Sequence, residues 1–168
     1  MALDHAWIEQ HIPHKGRMCL LDDVVSWDAT RIRCRSASHR TPDNPLRAHG
    51  RLGAACGIEY AAQAMAVHGA LVAASAPLAS AMTLHMRGSI DTATVGYLAS
   101  VRNVSFYVVR LDDLSGDLVA SAERVTGDDR TVLYEFSLWS AEQPLLKGRA
   151  SIVMDATFGA RILHESLT

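Results

Sequence analysis

NPLRAHGRLGAACGIEYAAQ (Asn44–Gln63) brings a histidine along a glycine-rich approach into a nearly uncharged segment that carries one glutamate, Glu59, with Gln63 one turn later. The apolar run continues to about Ala74 and stops before Pro77, which predicts one long helix over Ala54–Ala74. A carboxylate in so apolar a helix is costly to bury unless it is paired or used. Glu59 is therefore the place to look for chemistry. His49, ten residues earlier on the loop, is too far along the chain to be a same-helix partner. The two could meet only through folding or across a subunit boundary.

The elements on either side decide what packs on this helix. Ahead of it, a short helix or turn over Asp4–His11 leads to a strand around Leu20–Ser26. RIRCRSASH then alternates Arg31, Arg33 and Arg35 with Ile32, Cys34 and Ser36, a strand with one wet face. Behind it, GYLASVRNVSFYV, DLVASAERVT, TVLYEFSLWSA and LLKGRASIVM are four runs rich in β-branched and aromatic residues. Turns at GDDR and AEQP predict an antiparallel meander, with Val132, Tyr134, Phe136 and Leu138 on one face. Two strands, one long helix and four strands give an α+β chain. A six-stranded antiparallel sheet curled around the single helix is the simplest way to bury it, the hot-dog arrangement. The whole chain, residues 1–168, is expected to form one such domain.

Composition narrows the function. A net charge of -2 and a pI near 6.4 argue against a general nucleic-acid binder. Cys19, Cys34 and Cys56 are an odd number with no CxxC, which fits free thiols in a reducing compartment. MALDHAWIEQHIPHKG has charges and no apolar core, so it does not read as a signal peptide, and the cytoplasm is the expected location. Residues 64–82 lack acidic and basic groups but are dominated by Ala and include His68 and Pro77. They read as a buried helix rather than a membrane span. Residues 77–95 give no readable pattern.

On a helix Gln63 lies about 40° from Glu59, close enough to orient its carboxyl group. Burial is expected to raise the Glu59 pKa and keep it available as a proton donor; the alternative is a partly exposed glutamate satisfied by water or Arg51. Gly50, Gly53 and Gly57 bracket the helix start. Either they let a ligand carbonyl approach free backbone N–H groups, or they serve turns and close packing. His68, about half a turn around from Glu59, is expected in the core or an interface. His11 and His14 form an HxxH, but Ile12-Pro13 breaks any helix and no further ligand sits nearby, so no metal is expected. Asp22-Asp23 and Asp112-Asp113 read as solvated pairs.

With these residues in place, the chain resembles the hot-dog 3-hydroxyacyl-(acyl-carrier-protein) dehydratases, in particular the divergent branch found in aryl-polyene clusters. IPHKGRMCLLDDVV (Ile12–Val25), IEYAAQ (Ile58–Gln63), GYLASVRNVSF (Gly96–Phe106) and LSGDL (Leu114–Leu118) carry the match in order. The family's catalytic His opens a longer, proline-containing loop, which AHGRLGAACG replaces here. The resemblance implies that His49 removes the C2 proton of a 3-hydroxyacyl thioester, and that Glu59 protonates the departing 3-hydroxyl to give the trans-2-enoyl product. Gly50, Gly53, Gly57 and Gln63 would contact substrate. It further implies a homodimer sharing each site, or a heteromer with another hot-dog subunit, an acidic acyl-carrier protein as partner, and no metal or organic cofactor. Arg47, Arg51 and Arg102 are the candidate carrier contacts. Two other functions stay open: an acyl-thioester hydrolase, and a non-catalytic subunit of a dehydratase.

Overall fold

The computed structural model describes residues 2–75, 95–128 and 130–155. Asp4 caps the first helix, α1 (His5–His11), by accepting from Trp7 N at 3.0 Å. Strands β1 (Asp23–Trp27) and β2 (Arg31–Ser36) follow. A 3-10 turn over Ala54–Cys56 then leads into α2 (Gly57–Ser75). Strands β3 (Val95–Phe106), β4 (Leu118–Gly127), β5 (Thr131–Ser140) and β6 (Gln143–Asp155) complete the described part. Residues 76–94, most of the stretch that gave no readable pattern, lie outside it.

The six strands form one antiparallel sheet in the order β1-β2-β4-β5-β6-β3, with α2 against it: the hot-dog fold expected from the sequence. Alternation works as read. In β2, Ile32, Cys34 and Ser36 are buried and the three arginines exposed; in β5, Val132, Tyr134, Phe136 and Leu138 all turn inward. The meander is shorter than the four expected runs. Only β4, β5 and β6 are consecutive neighbours, and β3 pairs with β6 at the far edge. Between β3 and β4 the chain leaves the sheet, and Leu111 N donates to Leu52 O beside the start of α2. β4 is then free to pair with β2. The first strand also starts later than expected, because Leu20 and Leu21 are fully buried ahead of it.

Helix α2 is buried on most sides, with Tyr60, Ala61, Ala64, Met65, Val67 and Leu71 in the core, and its alanines permit close approach of the sheet. His68 belongs to this core. Its Nδ1 meets the Tyr134 hydroxyl and its Nε2 the Asp28 carbonyl, both at 2.9 Å, and burial pushes its pKa down. Gly57 sits where a Cβ would lie 2.5 Å from Leu146 Cδ2 and 2.7 Å from Leu138 Cδ2. Gly57→Ala is therefore expected to cost about 1–3 kcal/mol by overpacking, measured as a shift in the denaturation midpoint. Among the described residues no helix is long and apolar enough to cross a membrane.

Candidate active site

Glu59 lies in the first turn of α2, where the helix dipole favours a negative charge. Its partner is His14. The imidazole Nε2 stands 3.0 Å from Glu59 Oε1, and each side chain keeps about 30% of its surface open. Gln63 Nε2 donates to the same carboxylate oxygen at 2.9 Å. Oε2 takes no hydrogen bond among the described residues and is left available.

Several contacts hold His14 in this position. Pro13 ends the α1 turn, and Lys15 Nζ donates to the Ile12 carbonyl at 3.0 Å and to that of Glu9. Gly16, at φ 54, donates its N–H to Glu9 Oε1 at 2.6 Å and opens a 3-10 turn to Met18. Gln63 then fastens the far end. Its Nε2 also donates to Met18 O, and its Oε1 accepts from Leu20 N, both at 2.8 Å. One fully buried amide therefore ties α2, the 14–20 segment and the carboxylate together. Gln63, expected to contact substrate, is fully buried and has no surface open to a ligand.

Charge follows from this geometry. Burial pushes the Glu59 pKa up, as expected from the sequence. The hydrogen bonds from His14 and Gln63 outweigh it and hold the carboxyl below its ordinary value. Glu59 is thus a carboxylate at neutral pH, the reverse of the expected protonated acid. His14 Nδ1 is buried and meets no protein partner among the described residues. An orphaned donor costs more than an orphaned acceptor, so the proton of a neutral ring belongs on Nε2, pointing at Glu59.

His49 is not brought to Glu59 within the chain. Ala48 and Arg51 exchange both backbone hydrogen bonds, at 2.9 and 3.0 Å, closing a tight turn with His49 (φ 52) and Gly50 (φ 72) at its tip. Positive φ at both central residues marks a type I′ turn, and it leaves His49 exposed. Gly50 serves that turn. Gly57 faces the core leucines and cannot meet a ligand. Three amides at the helix start are already engaged: Ala54 N on Val109 O, Cys56 N on Gly53 O, and Gly57 N on the carbonyls of Ala54 and Ala55.

The loop is held from beneath by Asp112, whose side chain is only 5% exposed. Its carboxylate accepts from Leu52 N and Arg110 Nε, both at 3.0 Å, and from Arg47 at 3.4 Å. Arg110, despite the burial, holds the Asp112 pKa far below the carboxylate range, so the expectation of a solvated aspartate is corrected. Arg47 also donates to the carbonyls of His39, Thr41 and Gly50, which removes it as a carrier contact. Arg51 and Arg102 are exposed. Asp112→Asn should lower the melting temperature at pH 7. The stabilisation from a depressed carboxylate is present above the ordinary pKa of 3.8 and lost as pH falls through the folded value. The gap to the parent protein should therefore narrow below about pH 4, as thermal melts across pH will show.

The sequence signal for His14 is its place just ahead of the buried Leu20-Leu21 pair. It lies in the IPHKGRMCLL stretch, where the HxxH spacing with His11 has no functional meaning. In the structure His11 instead stacks on Trp7 at 3.8 Å between ring centroids and bonds the Trp7 carbonyl.

Among solved structures, the chain is similar to one from the dehydratase heterocomplex ApeI:P of Xenorhabdus doucetiae, with 20% identity and a TM-score of 0.68 over 93% of this chain and 95% of that one. It shares the fold at lower similarity with a mutant of thioesterase PA1618 from Pseudomonas aeruginosa (14% identity, TM-score 0.51, 79% of each chain). The PaaI protein of the Escherichia coli phenylacetic acid operon is comparable (14% identity, TM-score 0.52, 78% of this chain and 81% of that one). No curated protein matches at a significant level. The ApeP-like family model, described as ApeP dehydratase, matches residues 6–161, so the chain belongs to the ApeP-like dehydratase family.

Proposed function

We propose that this protein dehydrates a 3-hydroxyacyl thioester, carried on an acyl-carrier protein in the cytoplasm, to the trans-2-enoyl thioester. The observation that carries this reading is the 3.0 Å contact between His14 Nε2 and Glu59 Oε1, with Gln63 on the same oxygen. A β-elimination of water needs one group to remove the C2 proton and another to protonate the departing hydroxyl. Ionised Glu59, through its unengaged Oε2, is the base. As the C2–H bond breaks, its electrons form the C2=C3 bond. The C3–O bond breaks as His14, in its doubly protonated form, gives its Nε2 proton to the oxygen, which leaves as water while the ring becomes neutral. The proton gained by Glu59 then returns to His14 across their hydrogen bond, restoring both groups. These roles invert those that the family resemblance implied.

Among the described strands β3 lies at one end of the sheet, and Leu98, Phe106, Tyr107 and Val109 are exposed along it and just after it. An apolar edge strand favours addition of a second hot-dog subunit, either a copy of this chain or a different one. The heterocomplex named for the similar structure supports the second form. Such a subunit would wall the open side of the His14–Glu59 pair with an acyl groove. It is also the one setting in which His49 would reach a site, that of the partner. Arg51 and Arg102 are the exposed cations offered to an acidic carrier.

The test is hydration of crotonyl- and longer enoyl-thioesters by purified protein, on carrier protein and on coenzyme A. Formation of the 3-hydroxyacyl product supports the reading. Free thiol without hydration identifies a thioesterase. Turnover that appears only with a second hot-dog protein, and survives loss of Glu59 here, identifies a non-catalytic subunit.

A further inference from the structure

The face of the sheet turned away from α2 carries a second feature. One register row runs across four strands as Arg33, Ser121, Ser137 and Lys147. The next row pairs Glu123 with Arg31 and Glu135 with Arg149, at 3.0 and 2.6 Å. These residues line an open hollow of about 730 Å³, which also takes in Trp27 and excludes both His14 and Glu59.

The charges in the hollow are unevenly satisfied. Both glutamates have arginine partners, whereas Arg33 and Lys147 have no hydrogen bond or ion pair among the described residues. Between them the floor is small and polar. The Ser121 hydroxyl has no partner among the described residues. Ser137 accepts from Trp139 Nε1 at 3.0 Å and keeps its own O–H to donate. Three strand spacings separate the two cations, about 14 Å along the sheet. A single phosphate cannot span that distance. An extended polypeptide with carboxylates four positions apart spans about 13 Å, and its intervening backbone would lie over the serine hydroxyls. A continuous phosphate backbone would meet Glu123 and Glu135 alongside, which disfavours nucleic acid.

We propose that this hollow docks an acidic, extended segment of a partner protein, with two carboxylates held by Arg33 and Lys147. The site is separate from the His14–Glu59 pair, and its occupation does not depend on the dehydratase reading. The probe is a fluorescein-labelled heptapeptide with glutamates four positions apart, titrated into the whole protein at low salt and followed by anisotropy. Saturable binding is expected. Arg33→Ser or Lys147→Ser should each weaken it by roughly two- to fivefold, the range of an exposed ion pair. The double variant should weaken it further, and added salt should weaken it in the parent protein. The same peptide with glutamines should not bind. Unchanged melting temperature and enoyl-thioester hydration in the variants would show that the fold is intact. Absence of saturable binding, affinity indifferent to both substitutions, or equal binding of a single-stranded oligonucleotide with the same dependence would each overturn the proposal.

Discussion

Glu59→Gln is expected to lower kcat/KM for enoyl-thioester hydration by about 100-fold or more, the scale of a positioned proton-transfer group. The substitution keeps the size of the side chain and an oxygen that can accept from Gln63, so the fold should survive, with the melting temperature at pH 7 lowered only by the loss of the ionised carboxylate. Removing the imidazole in His14→Ala should cost a comparable factor. His49→Ala should leave the rate near that of the parent, because His49 stands at the exposed tip of a turn. Since Glu59 and His14 act as a unit, the double variant should be scarcely slower than either single one. Steady-state kinetics on the four proteins, with melts as controls, decide between assignments. If His49→Ala is inactive and His14→Ala is not, the base comes from the neighbouring subunit and the pairing proposed here is wrong.

Gln63→Leu should be damaging in two separable ways. Leu20 N and Leu20 itself are buried, and the amide would lose its acceptor without gaining water. An orphaned buried donor costs about 1–3 kcal/mol, read as a lower melting temperature. The second effect is on charge. Gln63 is one of the two groups that hold the Glu59 pKa below its ordinary value of 4.5. A depressed carboxylate stays ionised to lower pH, so the acid limb of the rate profile lies below the usual carboxylate range. Without Gln63 the Glu59 pKa rises and that limb should move to higher pH. The stability that Glu59 contributes, present above about pH 4.5 and lost as pH falls through its folded value, should shrink together with it. A purely structural role for Gln63 would lower the melting temperature and leave the pH limb in place.

Much of this fold was legible in the chain because its signals are local. Arg31–Ser36 and Thr131–Ser140 alternate with period two, and each needs only its own residues to announce a buried face. The long helix is marked by an apolar run that no strand of ordinary length could use. Glu59 stood out for a similar reason, since a charge inside that run implies a cost that something must offset. The place of β3 was not legible. Whether it pairs with β4 or with β6 depends on where the Tyr107–Asp117 connection travels, and that depends on the start of α2.

By itself the sequence determined the inventory: one long helix, a sheet of amphipathic strands, and an acid with a glutamine one turn on. Those properties follow from residue type and period. What only the tertiary structure decided is the partner of that acid and the sign of its charge. His14 and Glu59 are 45 positions apart, and Gln63 closes that distance by bonding Met18 O, Leu20 N and the carboxylate at once. A pKa is the balance of burial against hydrogen bonds. Burial could be foreseen from the apolar helix, whereas the bonds exist only once the 14–20 segment has folded against it.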